Sequence, residues 1–235
     1  MTSADRWADD GARPTARRVG RDLVRRALAP AAAWWAVVVG TGTLIVGPLG
    51  DPAGEDAAVR AMEPGRTPVL DTLTSLWSNV GATEFIIGAC LAVMAVLWWR
   101  TRRWWFAIVP GIAVAVQAAV FVTAAFVVQR DRPEADALDV APPTSSFPSG
   151  HVGASTAFYV VLAVLSRRIR RPALRWAATA ACLLVPVLVA YARLYRGMHH
   201  PSDVVVGVLN GLVCAWLAWH YLRPQSAAAG GDQGR

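Results

Sequence analysis

Three short stretches of the 235-residue chain carry residues whose types and spacing suit chemistry on an anion. The first reads Arg130-Asp131-Arg132-Pro133, the second Pro148-Ser149-Gly150-His151, and the third runs from Arg193 through His199 to Asp203. Arginine presents a planar, permanently charged fork that holds phosphoryl oxygens in pairs and offsets charge on the equatorial oxygens of a transferring phosphoryl group. Arg132 and Arg193 are the candidates for that task, with Arg130 and Arg196 as auxiliary cations. Ser149 and Gly150 stand where a long apolar block begins, so their surroundings offer unpaired backbone N–H groups at the positive end of a helix, a natural seat for phosphate. His151 falls in the first turn of that helix, beside whatever anion docks there.

In the third stretch Pro201 suits the first position of another helix, where its missing N–H costs nothing. Asp203 then takes the third position, from which a carboxylate reaches back across the cap, and His199 lies within that reach. An aspartate on one imidazole nitrogen fixes the tautomer and supports positive charge on the ring, freeing the other nitrogen as nucleophile or base. A His–Asp pair beside two arginines is an arrangement for phosphoryl transfer. No metal or other cofactor is expected: the loop carboxylates are scattered, His199 and His200 are adjacent and point apart, and Cys90, Cys182 and Cys214 all sit inside apolar blocks. Taken singly, His151 reads as a helix-start residue, Asp203 as a cap and the arginines as headgroup anchors; their joint occurrence on one side of a membrane favours catalysis. His200, outside the spacing, reads as a cap or interface residue.

The elements that must hold these residues are membrane helices. Hydrophobic residues make up 55% of the chain and charged ones 17%, and the mean hydropathy is positive, too apolar for an ordinary soluble domain. Six apolar blocks run approximately over 30–50, 81–99, 104–128, 151–165, 173–192 and 204–222. Continuous blocks of this kind imply helices rather than barrel strands, since a backbone in lipid must satisfy its own hydrogen bonds. The fold class expected is therefore an all-α integral membrane protein, a six-transmembrane helical bundle with its active site at the extracytoplasmic end. All 23 basic residues are arginine, and alternate connections carry 17 of them against 6 on the other side. The positive-inside rule then places both termini in the cytoplasm and segments 129–150 and 193–203 together on the outer face. The net charge of +7 belongs to arginines beside apolar blocks, which fits anionic lipid headgroups and not nucleic acid. Within the blocks, Glu84, Gln117 and Asn210 are candidates for hydrogen bonds between helices, and the segment 51–79 is expected to form a short outer helix that shapes lipid access.

These motifs resemble the three-motif signature of the type 2 phosphatidic acid phosphatase superfamily, which includes bacterial diphosphate lipid phosphatases and vanadium haloperoxidases. Its pattern is K-x6-R-P, then P-S-G-H, then S-R-x5-H-x3-D. The chain carries Arg132-Pro133, an intact Pro148-Ser149-Gly150-His151, and Arg193, His199 and Asp203 at the required spacing; Ala125 stands where the pattern has lysine and Ala192 where it has serine. The resemblance implies that His199 attacks phosphorus, Asp203 orients and charges His199, and His151 protonates the leaving oxygen. It further implies that Arg132, Arg193, Ser149 and the backbone at Gly150 cradle the phosphoryl group. The loss of the lysine removes a phosphate-binding cation, which Arg130 or Arg196 could replace from another direction.

The organisation expected is a basic cytoplasmic segment over 1–28, a six-helix membrane phosphatase domain over 29–223 and a disordered cytoplasmic tail over 224–235. The function expected is hydrolysis of a membrane lipid phosphate at the plasma membrane through a phosphohistidine, with undecaprenyl diphosphate, phosphatidylglycerophosphate and phosphatidate as substrates that present a terminal phosphate at this depth. Two alternatives share the same site: transfer of the phosphoryl group to a lipid or sugar acceptor, and binding or transport of a lipid phosphate without hydrolysis. Oligomeric state leaves no signature in the sequence.

Overall fold

The computed structural model describes residues 13–50, 54–141 and 144–222. The first twelve residues and the expected tail at 224–235 lie outside the described residues. Among the described residues five helices are long and apolar enough to cross a membrane: α1 (Ala16–Val46), α4 (Thr83–Thr101), α5 (Trp104–Val128), α7 (Pro172–Tyr195) and α8 (Pro201–Trp219). Two shorter helices, α2 (Glu55–Arg60) and α3 (Pro68–Val80), lie between α1 and α4. The remaining apolar block forms α6 (Gly150–Ser166), with 17 residues. At about 1.5 Å per residue that is roughly 26 Å, short of the ~30 Å hydrocarbon layer. The shortfall has a local cause: Ser146, Phe147 and Ser149, just before α6, are buried, so non-helical backbone is tolerated at depth because protein surrounds it.

No helix end falls at residue 28. Thr15 caps α1 by accepting a hydrogen bond from the Arg18 backbone N–H, and the helix runs on through a wide turn at Val24–Leu28 to Val46. That turn precedes Pro30, whose missing N–H and bulky ring would otherwise press on the carbonyl of Arg26. The expected basic segment is therefore helical from Ala16 onward, and Val19 and Ala27 pack into the core with residues of α5, α6 and α8.

Helix α6 lies at the centre, packed against α5, α7 and α8. Its contact with α8 depends on absent side chains: a Cβ on Gly211 would lie 2.4 Å from the Thr156 Cβ, and one on Gly207 would lie 2.8 Å from the Ser149 carbonyl. Small residues at such crossings let helices approach closely and pack by dispersion. Beside these glycines on α8, Asn210 accepts a hydrogen bond from Trp34 Nε1 at 3.1 Å and donates to the Gln117 carbonyl at 3.5 Å, joining α1, α8 and α5.

The end of the bundle that carries the motifs is closed by the first connection. The single helix expected there is instead two helices, α2 and α3, tied to the third and fifth connections by charge-assisted bonds. Glu55 accepts from Ser202 N and Oγ, Asp56 from Glu134 N and Glu63 from Asp136 N. Arg66 donates to the carbonyls of Asp136 and Tyr195.

Candidate active site

Two chain reversals and the bonds between segments bring the motifs together. Gln129 ends α5 in the left-handed region at φ 50°, turning the chain into Arg130–Pro133. The second motif runs alongside: Arg130 N donates to Ser145 Oγ at 2.9 Å, Ser146 N donates to the Arg130 carbonyl at 2.9 Å, and Ser146 Oγ donates to the Asp131 carbonyl at 2.6 Å. Gly197, at φ +70°, follows the C-cap of α7 and swings Met198–His200 back toward α8, a conformation that glycine adopts without steric cost. Ser149 N donates to the Asp203 carbonyl at 3.0 Å, joining the second motif to the third. Gly150 is held against Phe121, where a Cβ would meet the ring at 2.7 Å.

Where these segments converge, a cavity of about 880 Å³ opens. Arg132, Gly150, His151, Arg193 and His199 line its polar end, and α4 and α5 line the rest with Ile87, Leu91, Met94, Ile112, Ala115 and Val122 among other residues. Arg132 donates to the Met198 carbonyl at 2.7 Å and the Thr144 carbonyl at 3.3 Å, which leaves donors of its fork for an anion. Buried Arg193 uses Nη1 on Ser78 Oγ at 2.7 Å and Asp139 Oδ2 at 2.9 Å, while its Nε has no hydrogen-bond partner.

His199 is buried, and its Nδ1 lies 2.7 Å from the Ser146 carbonyl. A carbonyl only accepts, so Nδ1 carries the proton and Nε2 keeps the lone pair. Burial pushes the ring below the ordinary histidine range, with Arg193 and Arg132 adding to the effect and Asp203 opposing it. The neutral, attacking form is thereby favoured.

Asp203 does reach back across the cap, but its carboxylate is shared differently from the sequence expectation. His199 Nδ1 stands 3.8 Å from Oδ2, a charge contact rather than a hydrogen bond. Oδ2 instead accepts from the His200 backbone N–H at 2.8 Å and faces His200 Nδ1 at 3.2 Å, while Oδ1 accepts from Arg130 at 2.6 Å. The reason is geometric: His200 is the N-cap of α8 and Asp203 its third residue, so a capping box forms between them. His200 Nε2 lies 3.3 Å from Asp56 Oδ1.

The two auxiliary arginines do not line the cavity. Arg130 is buried between Asp203, Ser202 Oγ and Glu55. Arg196 donates to Asp139 Oδ1 at 2.6 Å and to the Asp71 and Leu138 carbonyls. Ser149 N-caps α6, with its Oγ buried and without a partner. Ala125 is buried in the last turn of α5 and does not line the cavity, so the cations of the cavity are Arg132 and Arg193.

The family profile described as "PAP2 superfamily" matches residues 105–226, more than half of the chain and all three motifs. The chain belongs to the PAP2 superfamily. Among its PAP2 relatives, the decaprenylphosphoryl-5-phosphoribose phosphatase of Mycolicibacterium smegmatis is 37% identical over 162 residues, covering 66% of this chain and 82% of that protein. The enzyme of the same description from Mycobacterium tuberculosis is 34% identical over 168 residues, covering 68% and 86%. Two solved PAP2-type folds superpose. The phosphatidylglycerolphosphate phosphatase of Bacillus subtilis gives a TM-score of 0.68 at 20% identity, covering 81% of this chain and 92% of that one. Aquifex aeolicus LpxE gives 0.54 at 21%, covering 68% and 91%.

Sequence reasoning missed four participants. Ser146 acts through its carbonyl, and backbone groups leave no residue signature. Ser78, Asp139 and Glu55 come from connections whose acids register only as outer-side charge, because their partners are 54 to 147 residues away along the chain.

Proposed function

We propose that this PAP2-family membrane phosphatase hydrolyses a lipid-linked phosphate monoester through a phosphohistidine. His199 Nε2 attacks phosphorus, and the bond to the leaving oxygen breaks as His151 gives that oxygen a proton. Water then attacks the phosphohistidine, His151 takes the proton released, and inorganic phosphate leaves. Arg132 and Arg193 hold the equatorial oxygens, so catalysis is positioning plus electrostatic stabilisation. The negative charge of the bound phosphoryl group is itself what favours a proton on His151. Asp203, ligated by Arg130 and His200, supplies the charge that steadies His199 as it becomes cationic.

The observation that carries this reading is the continuity of the cavity. Its polar end holds His199, His151 and both free-edged arginines, and its body is an apolar groove between α4 and α5 suited to a lipid chain. The groove runs along membrane helices, so the substrate is a membrane lipid. Of the substrate classes open to the sequence, the relatives favour a polyprenyl-linked sugar phosphate such as decaprenylphosphoryl-5-phosphoribose over undecaprenyl diphosphate, phosphatidylglycerophosphate or phosphatidate.

The test is phosphate release by the purified full chain in detergent across those four lipids, with chelator present. The sugar phosphate is expected to give the highest kcat/KM, with inhibition by vanadate. Release from none of them overturns the reading, and label passing to an added lipid or sugar acceptor in place of water establishes the phosphotransferase alternative. The arginine asymmetry supports six crossings, with α6 as the short one, both termini cytoplasmic and the cavity opening on the extracytoplasmic side. An Asp136→Cys variant is then expected to react with an impermeant thiol reagent in intact cells; reaction only after lysis reverses the orientation.

A further inference from the structure

The cavity contains a carboxylate for which the proposed chemistry has no use. Glu84 stands in the first turn of α4 and lines the cavity, as do Thr83 beside it and Thr144 from the third connection. It is the sole acid among the lining residues. Among the described residues it has no hydrogen-bond or ion-pair partner, and neither do the hydroxyls of Thr83 and Thr144. Its place at the phosphoryl end is fixed just upstream, where a Cβ on Gly81 would lie 3.4 Å from the His151 Cβ.

An acid in the first turn of a helix interacts favourably with the helix dipole. That role accounts for an acid at the start of α4, and it predicts an effect on stability that is blind to substrate. It does not account for an unpaired carboxylate facing the same space as Arg132 and Arg193. In that space the carboxylate discriminates by chemistry. Glu84, Thr83 and Thr144 are exposed at the rim of the cavity, and a second phosphate bonded directly to the first would bring like charges together there, which is unfavourable. A vicinal diol would instead donate two charge-assisted hydrogen bonds to the two carboxylate oxygens, with the threonine hydroxyls able to donate or accept at the same rim. Sites built to bond a substrate hydroxyl reject analogues that lack it more strongly than apolar pockets reject a change in size.

The geometry points to Glu84, with Thr83 and Thr144, as a hydroxyl-reading subsite that selects a sugar or polyol between the scissile phosphate and the lipid and disfavours a diphosphate. This rests on the phosphatase reading above and adds the residue that sets substrate class. The experiment compares kcat/KM of the wild type, Glu84→Ala and Glu84→Gln on decaprenylphosphoryl-5-phosphoribose, phosphatidate and undecaprenyl diphosphate. The ratio of sugar phosphate to phosphatidate is expected to fall about tenfold or more in Glu84→Ala. Glu84→Gln, which keeps one acceptor oxygen and loses the charge, is expected to lose less of that ratio while raising the ratio of diphosphate to phosphatidate severalfold. Equal losses on all three lipids, or unchanged ratios, overturn the subsite and leave the phosphatase intact. Absence of wild-type release from every lipid removes the phosphatase reading itself. Thermal midpoints of both variants separate a folding defect from a change in selectivity.

Discussion

Two sets of like residues flank the same motifs and meet opposite fates. Arg132, Arg193 and His199 line the cavity, whereas Arg130, Arg196 and His200, one to three positions away, are turned into the protein and consumed by carboxylates. The histidines show the contrast most sharply. Burial lowers the affinity of His199 for a proton; burial also opposes protonation of His200, but there the hydrogen bond and charge of Asp203 outweigh it and raise the ring above the ordinary range. One neighbour is thus biased toward the neutral form that attacks, and the other toward the charged form that holds Asp203. The lesson is that charge near a site and charge in a site are different things. The walled-off set satisfies Asp203 and shares Asp139 with Arg193, so that the facing set keeps part of its donors for the substrate.

The widest separation is expected between the adjacent histidines. His199→Ala removes the atom that bonds to phosphorus, so turnover falls to background and no acid-labile phosphoprotein forms from labelled substrate. His200→Ala leaves Asp203 held by the backbone N–H and by Arg130 and loses roughly tenfold, the scale of one hydrogen bond to a charged group. Rapid quench with labelled lipid measures both, and a His200→Ala phosphoprotein level as low as that of His199→Ala would erase the distinction. The same assignment sets the pH profile. The nucleophile must be unprotonated, and its proton affinity is lowered; activity therefore persists below pH ~6.5, the ordinary histidine midpoint, and declines only as pH falls through the lower folded-state value.

The arginines should split next, along two different observables. Arg132→Ala and Arg193→Ala each remove donors aimed at transition-state charge and should cost about 10²–10³-fold in kcat, with thermal midpoints less affected. Arg130→Ala should do the reverse, since it strands the Asp203 carboxylate, 0% exposed, and Glu55, 15% exposed. Breaking a buried pair from one side costs about 3–5 kcal/mol. Arg196→Ala is milder, because Asp139 is 26% exposed and keeps access to water. Thermal unfolding in detergent, run beside the kinetics, reads the split; Arg130→Ala with an unchanged midpoint and a purely kinetic defect would move Arg130 into the facing set.

The sequence discloses the facing set better than the walled-off set, for a physical reason. Arg132, His151, Arg193 and His199 lie within short motifs whose residue types and spacing are legible in the sequence, and bonds between the three segments bring them to one cavity. Arg130 and Arg196 look identical to them in type and position, and only the carboxylates of Glu55, Asp203 and Asp139 and the backbone carbonyls of Asp71 and Leu138, all distant along the chain, draw them away. The apolar blocks likewise disclose the helices but not all their ends: arginine-rich residues 16–28 continue α1 because Val19 and Ala27 find a buried face, whereas α6 begins at Gly150, within one residue of its block. The tautomer of His199 rests on the Ser146 carbonyl, which has no residue code at all.

The smallest effect should come from Asp139, which joins the two sets by accepting from Arg193 through Oδ2 and from Arg196 through Oδ1. Burial works against its ionisation, yet the Arg196 hydrogen bond and the two guanidinium charges hold it below the usual carboxylate range, so it is negative at neutral pH and subtracts from the field that an anion meets. Asp139→Asn keeps an acceptor for one arginine and removes the charge. Inorganic phosphate and vanadate should then bind severalfold more tightly, because less of the Arg193 charge is cancelled. The gain should shrink as salt is raised, since ions screen a partly exposed charge. Product inhibition measured at low and high ionic strength tests this directly. A weaker phosphate affinity in Asp139→Asn would show that the carboxylate serves chiefly to aim Arg193, and that its orientation outweighs its charge.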